Sequence, residues 1–121
     1  MKKVRLDAIS TLTEAEAKAI SMLRHKLSEK FHLIKFILYG SKARGDHNPE
    51  SDVDLLALVE EPKTWDNRSL LSELQTEVLW EVDAPIICMM ENYEAWVSEE
   101  GVYRPLKDNV ERDGVELEIP Q

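Results

Sequence analysis

Two aspartates one residue apart sit inside a run of strand-forming residues, Ser51-Asp52-Val53-Asp54-Leu55-Leu56-Ala57-Leu58-Val59, and nothing else in the chain constrains its fold as strongly. Side chains of a strand alternate between faces, so Asp52 and Asp54 point the same way, one pleat apart. Two adjacent acids repel each other, and burying either costs desolvation, so a sheet gains no stability from the pair. A divalent cation reverses that balance, because magnesium selects hard oxygen ligands. Ten residues separate Asp52 from a Gly40-Ser41 step. Glycine lets a backbone approach phosphate without a Cβ in the way. The spacing points to a metal site beside a turn that receives phosphate.

The rest of the chain reads as an α/β alternation around this motif. Thr13 and Glu16 fit a capping box, opening a helix that runs to about Lys30 with Ile20, Leu23 and Leu27 on one stripe. Residues 31–39 are expected to form a strand, with Ile34, Phe36, Ile37 and Leu38 apolar on both faces. Gly40 and Gly45 bracket a tight turn with room for one helical turn, and 46–50, containing Asn48-Pro49, is a surface loop. Val53–Val59 is apolar on both faces beyond the aspartates, which marks a central, covered strand. Pro62 ends it, and a loop over 60–67 leads to a helix over 69–80, where Leu70, Leu71, Leu74, Val78 and Leu79 recur at helical spacing. Residues 82–90 read as a third strand, placed at an edge or irregular point by Pro85. Short helices over 93–99, packing Trp96, and 105–113, with Leu106 and Val110 inward, each precede a glycine stop. A short strand over 115–119 completes the pattern. No repeat or linker interrupts it, so residues 1–121 are expected to form one domain, large enough for one core but not for a separate substrate domain.

Charge removes several functions. The chain carries 15 basic and 24 acidic residues, a net charge of −9. Nucleic acid phosphates repel such a surface, and no lysine-arginine block offsets it, so direct nucleic-acid binding is not expected. Nucleoside triphosphates remain compatible, because bound magnesium brings positive charge of its own. The longest apolar run is too short to span a bilayer, so no membrane role is expected. Arg5 and Asp7 follow Met1-Lys2-Lys3 where a signal peptide requires an apolar segment. The single cysteine, Cys88, fits a reducing cytoplasm, and its apolar strand implies a buried, inert thiol.

The run FILYGSKARGDHNPESDVDLLALV resembles the signature of the DNA polymerase β-like nucleotidyltransferase superfamily. It is most similar to the minimal nucleotidyltransferases, whose pattern is Gly-Ser, ten residues, then Asp-x-Asp. The resemblance extends back through the Thr13 helix and forward to the tail NVERDGVELE, while Tyr39 and Lys42 stand where Phe and Arg are commoner. It implies an α/β (α+β) fold, a small mixed sheet flanked by helices. It further implies one or two magnesium ions on Asp52 and Asp54, with a triphosphate seated on Gly40 and Ser41. Lys42 and Arg44 are candidates to contact phosphate oxygens or to face solvent. A third carboxylate is expected from a later strand, with Asp83 the first candidate and Glu81 the fallback. The reaction implied is transfer of a nucleoside monophosphate with loss of pyrophosphate.

Minimal nucleotidyltransferases are commonly antitoxin partners of HEPN ribonucleases. Those characterised transfer AMP from ATP to a tyrosine of the toxin, so a cytoplasmic protein adenylyltransferase in a hetero-oligomer is the leading expectation. Two other readings stay open. The chain could be a catalytically silent module that blocks its partner sterically, or one subunit of a small-molecule (antibiotic-type) nucleotidyltransferase. His47, in a polar loop without a second histidine or cysteine at ligand spacing, is expected to be exposed rather than catalytic. Trp65, in the polar connection, is the aromatic most open to a partner.

Overall fold

The capping box forms as the sequence implies: the Thr13 hydroxyl accepts from the Glu16 N–H, and the Glu16 carboxylate accepts from the Thr13 N–H. The computed structural model describes residues 1–46, 48 and 51–119, so His47 lies outside the described residues. In chain order the elements are β1 (Lys3–Arg5), a 3-10 turn (Leu6–Ala8), α1 (Glu14–Lys30), β2 (Leu33–Tyr39) and α2 (Ser41–Arg44). They continue with β3 (Val53–Val59), α3 (Trp65–Glu81), β4 (Ile86–Asn92), α4 (Tyr93–Ser98), α5 (Arg104–Asp113) and β5 (Val115–Glu118).

The strands form one mixed sheet in the order β1-β5-β2-β3-β4. β2 is antiparallel to both β3 and β5, whereas β3–β4 and β1–β5 are parallel pairs. Alternation along the central strands builds two cores. Phe36, Leu38, Val53, Leu55, Ala57 and Val59 face α1 and α3, packing on Ile20, Leu23, Leu27, Leu71, Leu74 and Val78. Ile37, Leu56 and Leu58 face the other way, against Trp96 of α4 and Val110 of α5. Each fully buried aliphatic side chain contributes about 1.5–3 kcal/mol relative to exposure. A sheet apolar on both faces therefore requires helices on both.

Several boundaries differ from the sequence reading. β2 begins at Leu33, because Phe31 closes α1 by donating its N–H to the Leu27 carbonyl. α3 begins at Trp65 rather than 69, because the Thr64 hydroxyl accepts from the Asn67 N–H and caps the helix four residues early. Trp65 is thus a helical residue, 78% exposed, and not part of a loop. β4 runs from Ile86 to Asn92 instead of 82–90. Pro85 lacks an N–H and so cannot extend a ladder, which confines Val82 to Ala84 to a turn closed by the Ala84 N–H on the Val82 carbonyl. Finally, β1 was not foreseen, and pairing with β5 is what orders Lys3–Arg5.

Candidate active site

β2 delivers its last residue beside the motif: Tyr39 is in register with Asp54 across the antiparallel pair. The chain then turns at Gly40, whose φ of +76° and ψ of −158° lie in a region that L side chains rarely adopt. A Cβ there would stand 2.5 Å from Asp54 Oδ2. The backbone of the turn therefore rests directly against the carboxylate, and only glycine allows it. Gly40→Ala is expected to lose about 1–3 kcal/mol of stability through backbone strain. It should also displace Asp54 and weaken binding of a nucleotide. Thermal melting and calorimetry with a non-hydrolysable ATP analogue check both outcomes.

Ser41 opens α2, a single turn in which the Gly40 carbonyl accepts from the N–H groups of Ala43 and Arg44. Two contacts from α1 and the segment before it hold this turn. Thr11 Oγ1 donates to the Lys42 carbonyl at 2.6 Å. Lys42 points inward, 3% exposed, and its ammonium lies 3.0 Å from Glu16 Oε2. Lys42 is thus neither at the mouth of the site nor in solvent, the two places that the sequence left open for it. The glutamate that caps α1 also neutralises the lysine of the turn, so one carboxylate ties the helix start to the motif.

Arg44 is held by two acids, donating Nε to Asp46 and Nη1 to Asp113 Oδ2 at 2.9 Å. Its Nη2 group carries two further donors that neither contact uses. Asp113 ends α5, and its shielded carboxylate also accepts from Arg112. The Arg112 hydrogen bond, followed by that of Arg44, holds the Asp113 carboxyl down at about 2. Sequence reading missed this residue, although it lies within the ERDG tail. A depressed folded-state pKa gives stability that is present above the ordinary value of 3.8 and is lost as pH falls through about 2. Asp113→Asn should remove that dependence, flattening unfolding free energy between about pH 4 and 2 in urea titrations, and should loosen Arg44.

The two acids differ in burial. Asp52 is exposed just ahead of β3, and Asp54 is half-buried on the face shared by Leu56 and Leu58. Burial, then the neighbouring Asp52, pushes the Asp54 carboxyl above its usual range, and Arg44 partly offsets this. Tyr39 on the same face is pushed up to about 12 by burial and by Asp54, so its phenol stays protonated. Two like charges held together in a partly desolvated place fit a divalent cation, with phosphate oxygens completing its shell. Among the described residues, however, no three His, Cys, Asp or Glu side chains gather into a metal-binding group. Asp83 is exposed in the turn ahead of β4, and Glu81 ends α3, so neither joins the pair. At the β4 position in register with Asp54 stands Ile87. Cys88, next along, is buried with its thiol pushed up to about 12, the inert thiol expected.

A mixed sheet that sets a Gly-Ser turn against an Asp-x-Asp strand end is the arrangement of a nucleotidyltransferase. Residues 20–113 match the nucleotidyltransferase domain family, and the chain belongs to it. A candidate protein adenylyltransferase of Methanocaldococcus jannaschii, MJ0141, is 32% identical over 85 residues, which cover 68% of this chain and 80% of that protein. Among solved structures, a toxin–antitoxin complex with AMP-PNP superposes with a TM-score of 0.60 at 18% identity, covering 84% of this chain and 74% of its own. A mutant MntA–HpeT toxin–antitoxin complex gives a TM-score of 0.56 at 19% identity, covering 82% and 71% respectively. At such identities these two structures establish the fold. No helix among the described residues is long and apolar enough to cross a membrane.

Proposed function

We propose that this chain is a magnesium-dependent protein adenylyltransferase that moves AMP from ATP to a tyrosine of a HEPN-type toxin and so acts as its antitoxin. The observation that carries the reading is the contact between turn and carboxylate: Gly40 lies against Asp54, so a triphosphate on the turn meets the acids. The adenylyltransferase name of the archaeal relative and the toxin–antitoxin origin of the structural neighbours support the acceptor class. In this reading Asp52 and Asp54 hold the cation, which when bound orients the α-phosphate and offsets the charge of the displacement. Gly40 and Ser41 seat the outer phosphates, and Arg44 turns its free Nη2 donors toward a phosphate oxygen.

The test is incubation with ATP labelled at the α-phosphate, magnesium, and the product of a neighbouring HEPN reading frame. Covalent label on a tyrosine of that partner is expected, and an unlabelled partner that is nevertheless inhibited would overturn the enzymatic reading. One observation favours a second reading, a silent module acting sterically: among the described residues no third carboxylate joins Asp52 and Asp54. The same experiment separates the two.

A further inference from the structure

We infer that the chain carries a second nucleotide site, apart from the two aspartates, in the groove between α3 and the edge of β4, and that this groove takes a purine nucleoside monophosphate. The site goes beyond the transfer reading and does not depend on it. The groove encloses about 490 Å³. Small-ligand sites span roughly 300–1,000 Å³. One face of α3 forms its wall: Trp65, Arg68, Ser69 and Ser72 line it at i, i+3, i+4 and i+7. Leu71, Cys88 and Met90, all buried, and the exposed Met89 supply its apolar lining. α3 packs on the sheet face opposite that of Asp54, so this wall and the catalytic acid lie on different sides of the sheet.

Each part of that ligand answers a group on the wall. Trp65 is 78% exposed and offers an indole face on which a base stacks, a purine presenting the larger surface. Among the described residues Arg68 has no acidic partner, although the chain carries a net charge of −9. A free guanidinium beside an indole suits a planar group joined to phosphate, which the guanidinium grips in a fork. Trp65 and Arg68 stand about 4.5 Å apart along the helix axis, so a base on one leaves its phosphate within reach of the other. Lys63 gives one ammonium donor to Glu91 at 2.7 Å and keeps two. One free cation and one shared cation match a single phosphate better than a triphosphate. Glu73, further along the wall, repels phosphate and so directs it toward the start of α3. The Ser69 and Ser72 hydroxyls can both donate and accept, as ribose hydroxyls require. An extended peptide fits this edge poorly. The Gln75 side chain accepts from the Cys88 N–H at 2.9 Å and donates to the Cys88 carbonyl at 3.0 Å, which occupies the groups that an added strand would pair with.

The test titrates the full chain with AMP in metal-free buffer while NMR follows the indole N–H signals of Trp65 and Trp80. Trp80 is 85% exposed on the same helix but lies outside the groove, so it reports non-specific stacking. A saturable shift at Trp65 with none at Trp80 is expected. AMP should bind about tenfold or more tighter than adenosine or inorganic phosphate, because only AMP engages both the indole and the guanidinium. Arg68→Ala, at an exposed position, should weaken AMP about tenfold and leave adenosine unchanged. Asp54→Asn should leave the Trp65 response intact. Equal shifts at both tryptophans, or unchanged AMP affinity in Arg68→Ala, would overturn the inference. Loss of the Trp65 response in Asp54→Asn would also overturn it, by placing AMP at the catalytic turn. None of these outcomes bears on nucleotide transfer, which the labelling experiment above decides separately.

Discussion

Asp54→Asn is expected to lower AMP transfer about a thousandfold or more while melting at a higher temperature than the wild type in metal-free buffer. The two effects have one origin. Asp54 is half-buried beside Asp52, and its carboxyl is raised by burial and by that neighbour. A raised folded-state pKa means that the group favours folding at low pH and loses that contribution as pH rises through the folded value. Above that folded value the Asp54 charge therefore opposes folding, and an uncharged amide relieves it. In the proposed site the amide also gives up a hard anionic ligand, and with it charge that a divalent cation needs. Melting with and without magnesium plus AMP-PNP, beside a transfer assay, reads both effects. The wild type should gain a magnesium-dependent rise in melting temperature that the variant lacks. A variant that is no more stable without metal, or that still transfers, would show that Asp54 is an ordinary surface acid.

Lys42→Met should cost about 3–5 kcal/mol of stability, the penalty for stranding a buried partner charge. Lys42 and Glu16 are 3% and 5% exposed and lie 3.0 Å apart, so Glu16 would lose its charge partner in the interior. Methionine keeps the length of the stem, which isolates the charge effect from a cavity. A loss of this size is a large share of the 5–15 kcal/mol that holds a typical domain. Adding Glu16→Gln should recover much of it, because glutamine still accepts from the Thr13 N–H yet carries no charge. Urea denaturation of the single and double variants measures the cycle. A single-variant loss within about 1 kcal/mol would mean that the pair is solvated and contributes little.

The candidate site was half legible in the sequence. Gly40, Ser41, Asp52 and Asp54 are close in the chain, and strand alternation plus a glycine turn fix their relation locally. Asp83 was not legible, because its position depends on where β4 begins, and Pro85 moves that start to Ile86. Lys42 and Arg44 have the same charge two residues apart, yet one is buried against Glu16 and the other bridges Asp46 and Asp113. One helical turn sends them to different sides, and their partners stand 26 and 69 residues away along the chain. β1 was missed because a three-residue strand carries no periodic signal; only β5 gives it a partner.

By itself the sequence determined the α/β alternation, the capping of α1 and the placing of a Gly-Ser turn near two acids, because each arises from residues within a few turns of one another. Tertiary structure alone decided which cation is neutralised inside, which acid anchors Arg44, and that an isoleucine rather than a carboxylate stands in register with Asp54. Those outcomes depend on strand register and helix docking, and both are set by how the two cores pack rather than by any local run of residues.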